Sequence, residues 1–146
     1  MTMSDQDFAE LISYWSTSGD TSLLEELADG ISNRTTTIDA TLYRGYSIKG
    51  TNPFGTPKSP GDTITNTRVY SWSDKRYTAN MFAGIAEDGG NKIILILAPG
   101  ATAADVSTSS DMRSECEYLT PPETSYMIDD MENDGEYTVV HMHEIE

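Results

Sequence analysis

The chain has 146 residues, a length that fits one domain with a moderate core of its own. Nine lysines and arginines stand against 24 aspartates and glutamates, a formal charge of −15 that repels phosphate backbones and anionic lipid and argues against a nucleic-acid scaffold. The single cysteine, Cys116, excludes an internal disulfide framework, and no segment approaches the roughly 20 apolar residues of a membrane-spanning helix.

Residues 1–10 are acidic and polar where a secretory signal is basic and then apolar, which together with the lone cysteine predicts a cytoplasmic protein without membrane association. Phe8, Leu11, Ile12 and Trp15 recur at helical spacing until Ser16–Gly19 breaks the pattern. A second amphipathic helix is predicted from Asp20–Ser22, with Ser22 and Glu25 at capping-box spacing and Leu23, Leu24, Leu27 and Ile31 on its buried face. The helical part thus covers about 5–33.

From Thr41 the period changes. Leu42, Tyr43 and Tyr46 around Arg44 read as a short strand running into Gly45, and Lys49–Asp62, rich in Pro and Gly, as a long loop. Arg68–Trp72 is the next predicted strand. A helix follows, with Asp74 as its cap and Tyr77, Met81 and Ile85 at intervals of four, a stripe that fits the core side. Lys92–Leu97 is apolar enough for a central strand buried on both faces. Ala98–Arg113 reads as a loop of small residues, and Glu115–Leu119 as a strand ended by Pro121 and Pro122. Ser125–Ile128 and Tyr137–Ile145 form a closing pair around the turn Asn133-Asp134-Gly135. There is no internal repeat. The pattern is that of one α+β domain over 1–146, β-rich from about residue 41 onward.

Three short elements occur in an informative order: Tyr43-Arg44-Gly45, Ser71-Trp72-Ser73, and Glu115-Cys116-Glu117 followed by Tyr118-Leu119-Thr120-Pro121-Pro122. In this the chain resembles the mono-ADP-ribosyltransferases of the Arg-Ser-Glu class, the family of clostridial binary-toxin enzymes, vertebrate ecto-transferases and bacteriophage transferases. The likeness runs from about Leu42 to Ile145 and is most specific over Ser114–Pro122. The serine element departs from the usual Ser-Thr-Ser at Trp72, a residue that alternation places on the face away from the serines.

The resemblance implies two packed, largely antiparallel β-sheets with N-terminal helices, and NAD+ as a consumed co-substrate in the cleft between them. It implies that Arg44 holds the dinucleotide phosphates, a task suited to a planar, permanently charged guanidinium. Gly45 would offer bare backbone to the nicotinamide amide. Glu117 would stabilise the positive charge that develops as the nicotinamide bond breaks, with Ser71 orienting it and Ser73 assisting. Glu115, on the same strand face as Glu117, would engage an acceptor guanidinium. Phe82 lies where relatives supply an aromatic partner for nicotinamide. The implied reaction is transfer of ADP-ribose to a macromolecule, with protein arginine as the leading acceptor.

Other readings of the same residues stay open. Water would make the enzyme an NAD glycohydrolase, a nucleic-acid base would make it a nucleic-acid modifier, and without catalysis the charge would make it an acidic binding protein. Source is open between a phage protein, a toxin and an exported effector acting inside a target cell. His141 and His143 share a strand face without a recognised metal spacing, so no metal is expected. Gly50–Gly61 contains neither a P-loop nor a Rossmann fingerprint.

Overall fold

The computed structural model describes residues 4, 6–8, 10–11, 24–49, 52–54, 56–66, 69–84, 91–105, 117–135 and 137–145, with backbone only at Leu24, Glu25, Phe82 and Glu117. Helix α1 (residues 6–8, 10 and 11) starts at Ser4, whose hydroxyl accepts the amide of Asp7 at 3.1 Å, an N-cap. Helix α2 spans Leu24–Ser32 and buries Leu27 and Ile31 as its periodicity predicts. Gly30 allows α1 to close on it: a β-carbon there would stand 2.7 Å from the Phe8 ring, over which the Arg34 guanidinium lies at 4.3 Å. The expected cap of α2, at residues 20–22, falls outside the described residues.

Among the described residues nine strands follow: β1 (Thr36–Ile38), β2 (Leu42–Ile48), β3 (Thr63–Thr65), β4 (Tyr70–Ser73), β5 (Asn91–Leu97), β6 (Ala101–Asp105), β7 (Glu117–Thr120), β8 (Ser125–Asn133) and β9 (Tyr137–Ile145), with helix α3 (Arg76–Gly84) between β4 and β5. They form one sheet in the order β1-β6-β7-β4-β2-β5-β9-β8-β3, antiparallel except for the β5–β9 pair. One mixed sheet thus takes the place of the two packed sheets expected. A single pair, Tyr43 opposite Ser73, joins β2 to β4 and holds both halves in one ladder.

That ladder curls on itself. Strands β4 and β8 are four places apart in the order, roughly 19 Å in a flat sheet. The Trp72 and Tyr126 rings they carry nevertheless lie 6.1 Å apart. The enclosed core contains Ile38, Trp72 and Ala103 from one half and Ile93, Leu95, Ile128 and Val140 from the other. Burial pushes the Tyr126 phenol up to about 12.

Strand β5 explains its own apolar run: Ile93, Leu95 and Leu97 face this core, while Ile94 and Ile96 face α3. Three local expectations change. Gly45 lies inside β2 rather than at its end. Ala101–Asp105, read as loop, is a strand in which Ala101, Ala103 and Ala104 are buried. On α3 the stripe Tyr77–Met81 faces outward, 63% and 51% exposed, while Thr78, Ala79 and Ala83 face inward. The reason is close approach of the helix axis to β2, which admits only small residues. Among the described residues no helix is long and apolar enough to cross a membrane.

Candidate active site

The three elements singled out in the sequence lie on three consecutive strands, β7, β4 and β2. Ser73 is opposite both Tyr43 on one side and Glu117 on the other, and Ser71 is opposite Leu119. Directly opposite residues share a sheet face, so Tyr43, Ser73 and Glu117 form one row. Ser73 is thus the direct neighbour of Glu117, and Ser71 its diagonal one. Ser73 is buried, and its hydroxyl accepts the amide of Lys75 at 3.1 Å in a serine turn just before α3, while Asp74 does not make the helix cap expected of it. Asp74 instead accepts from the Tyr118 hydroxyl at 3.5 Å.

Beyond Tyr43–Ser73 the two strands part, and Arg44 occupies the split. Its Nη1 donates to the carbonyl oxygen of Ser71 at 3.1 Å, and its guanidinium lies 4.4 Å from the Tyr70 ring centre and 6.0 Å from that of Tyr46. Arg44 leaves β2 on the core face, whereas Ser71 and Ser73 belong to the other face, and Arg44 reaches β4 at the Ser71 carbonyl. A polar side chain here is consistent with chemistry: it stands at a break in the ladder, where main-chain groups of β2 lack a strand neighbour on the β4 side.

Gly45 is explained by packing. A β-carbon on it would stand 1.7 Å from the carbonyl oxygen of Ala79, so the backbone of α3 rests directly on β2. Phe82 belongs to α3 by its backbone, and Glu115 lies outside the described residues.

On the core side of the split is a cavity of about 580 Å³, lined from the sheet by Arg44, Tyr46, Tyr70 and Leu95 and from the connection after β2 by Phe54 and Lys58. Tyr46 ties the two walls, its hydroxyl donating to the Pro53 carbonyl at 2.6 Å. Burial raises the Tyr46 pKa, and the Arg44 charge only partly opposes this, so the phenol keeps its proton. Sequence reasoning missed Tyr46, Phe54, Lys58 and Tyr70. The signal was the concentration of aromatic and basic residues flanking Arg44 and Ser71.

It also missed Asn66, buried before β4. Its side chain donates to the Pro121 carbonyl at 2.9 Å and accepts the Thr124 amide at 2.7 Å. The Pro-Pro turn is thereby clamped, and with it the end of β7. Glu123 in that turn adopts φ 65°. His141 and His143 sit on the outer face of β9 against Glu132 and Asp129 at 3.1 and 2.8 Å. Among the described residues no cluster of three or more His, Cys, Asp or Glu could hold a metal.

No protein-family model matches the sequence, and no curated protein matches it. Solved structures do match. The Vis toxin, an ADP-ribosyltransferase from Vibrio splendidus, is 16% identical with TM-score 0.73, over 96% of this chain and 73% of Vis. Vis has also been solved in complex with agmatine. An ADP-ribosyltransferase from Clostridium botulinum is 13% identical with TM-score 0.66, over 98% of this chain and 88% of its own. The Clostridium limosum C3 exoenzyme is 17% identical with TM-score 0.66, over 99% and 87%. The protein therefore has the fold of these ADP-ribosyltransferases.

Proposed function

We propose that the protein is a mono-ADP-ribosyltransferase that cleaves NAD+ and transfers ADP-ribose to a macromolecular acceptor, with protein arginine as the acceptor side chain. The observation that carries this reading is the alignment of Arg44, Ser71, Ser73 and the Glu117 backbone on three neighbouring strands at the point where the sheet splits. The fold supports it, and so does the binding of agmatine, a guanidine, by Vis.

In this reading Arg44 engages the pyrophosphate and the Glu117 carboxylate stabilises positive charge at the anomeric carbon. The bond to the nicotinamide nitrogen breaks, and its electron pair leaves with nicotinamide. An acceptor guanidinium nitrogen forms the new bond and gives its proton to Glu115. Ser73, opposite Glu117, and Ser71, diagonal to it, hold that carboxylate in place.

The test is parallel measurement of nicotinamide release and of label transfer from NAD+ into protein and RNA. Glu117→Gln is expected to lower both by about 100- to 1000-fold, the effect of removing one well-placed electrostatic group. Glu115→Gln is expected to suppress transfer and spare hydrolysis, because a guanidinium must give up a proton to act as a nucleophile whereas water attacks as a neutral molecule. Unaltered transfer in Glu115→Gln would remove arginine as acceptor. Wild-type protein that releases no nicotinamide would end the transferase reading.

A further inference from the structure

Strand β4 carries Ser71 and Ser73 but has little ladder to hold it. One pair ties it to β2, and its four pairs on the other side go to β7, the equally short strand that carries Glu117. Strand β7 adds only two pairs with β6. Pairing of this kind fixes which residues are opposite one another, yet a short ribbon of strands has a loosely set twist. The spacing of serine hydroxyls and carboxylate on the outer face needs a further restraint.

Trp72, the residue between the two serines, supplies one. Its side chain is buried in the core, on the face away from the serines. Its Nε1 donates to the Thr120 hydroxyl at 3.1 Å, and that hydroxyl donates to the Tyr70 carbonyl oxygen at 3.4 Å. Trp72 is opposite Tyr118 and Tyr70 opposite Thr120, so the indole reaches diagonally from β4 to β7. Its ring also lies 6.1 Å from that of Tyr126, tilted by 57°, on β8 in the far half of the sheet. One side chain thus ties the serine strand, the glutamate strand and the long strands together. Thr120 is fully buried, so water cannot replace a partner lost there.

We propose that Trp72 is a positioning residue: through its bond to Thr120 and its contact with Tyr126 it sets Ser71 and Ser73 against Glu117. This rests on the reading of the protein as an NAD+-cleaving enzyme. Trp72 works from the core face and touches no reacting atom. A misplacement of about 1 Å at a catalytic group can cost about 100-fold in rate, so a tie that restrains twist has a kinetic effect larger than its share of stability. A threonine in its place, as in the usual serine element, is too short to reach both Thr120 and Tyr126.

Three variants of the full chain test it. Trp72→Phe keeps a ring and removes the N–H, Thr120→Val keeps the shape and removes the acceptor, and Thr120→Ser keeps the hydroxyl. Nicotinamide release is measured well below each melting transition. Trp72→Phe and Thr120→Val are expected to lower kcat about tenfold with KM for NAD+ little changed, and Thr120→Ser to stay near the wild type. The double variant should fall no further than either single one, because both remove the same bond. Should Trp72→Phe not fold, the Thr120 pair carries the test. Hydrogen exchange gives a readout independent of turnover: amides of β4 and β7 should exchange faster in Trp72→Phe and Thr120→Val, and those of β5 and β9 at the wild-type rate. Folded variants with wild-type kcat would overturn the proposal. So would a change confined to KM, additive losses in the double variant, or exchange that rises equally in all strands. A wild type that cleaves no NAD+ would remove the transferase reading, and the exchange pattern would then decide by itself whether Trp72 holds β4 against β7.

Discussion

The two halves of the curled sheet are built differently. From β2 to β8 the strands are long and their registers extended: seven pairs join β2 to β5, six join β5 to β9 and eight join β9 to β8. On the other side four pairs join β7 to β4 and two join β6 to β7. One pair joins the halves. Backbone hydrogen bonds and apolar area are concentrated in the first half, and the candidate catalytic groups stand in the second or at the junction. The long-strand half acts as a frame. The short-strand half can part from β2 beside Arg44, because the frame and the helices α2 and α3 hold it from outside.

This contrast can be tested from the largest effect downward. Gly45→Ala inserts a methyl group into the backbone contact between frame and α3. Overpacking of this kind costs about 1–3 kcal/mol, and because the obstacle is a carbonyl group the upper end is expected. Chemical denaturation measures it, and a loss below about 0.5 kcal/mol would show that α3 moves freely on β2.

Asn66→Ala removes the clamp on the Pro-Pro turn and leaves the Thr124 amide without its partner, at a cost of about 1–3 kcal/mol. Because that turn sets the end of β7, activity should fall further than stability alone accounts for. Turnover measured well below the melting transition separates the two. Activity equal to wild type there would confine Asn66 to folding.

Arg44→Ala should weaken NAD+ binding by about tenfold or more while costing about 1 kcal/mol of stability, since its contacts in the free protein include a carbonyl and two half-buried rings rather than the packed core. An unchanged NAD+ titration would contradict the phosphate role. A collapse of stability with little change in affinity would make Arg44 the pin that closes the split.

The smallest effect is expected from Tyr77→Ser combined with Met81→Ser. Both side chains are exposed on α3, so thermal stability should change by less than about 0.5 kcal/mol per site. A larger loss would restore the core-facing orientation that their spacing first implies.

Much of the frame is legible in the chain itself. Lys92–Leu97 announces a strand buried on both faces because nearly every residue is apolar, and Asn133-Asp134-Gly135 announces the final hairpin because its side chains cap their own turn: Asn133 accepts the Gly135 amide at 2.8 Å and Asp134 that of Tyr137 at 2.7 Å. The order Arg44, Ser71, Glu117 was also readable, since it rests on residue types and sequence alone. These are local properties, decided by side chains within a few residues of one another.

The remainder depended on distant partners. Ala101–Asp105 has no strand propensity worth naming and becomes a strand because β1 and β7 flank it. Tyr77 and Met81 have the spacing of a buried stripe and are exposed, because Gly45 on another element draws the helix in along Ala79 and Ala83 instead. Lys58 and Phe54 come to line one cavity with Arg44 and Tyr70 only when the loop after β2 folds across to them. By itself the sequence determined which chemical groups this protein has and the order in which it presents them. The tertiary structure decided which of them meet, because close approach of backbones and the curl of a sheet are set by packing between segments far apart in the chain.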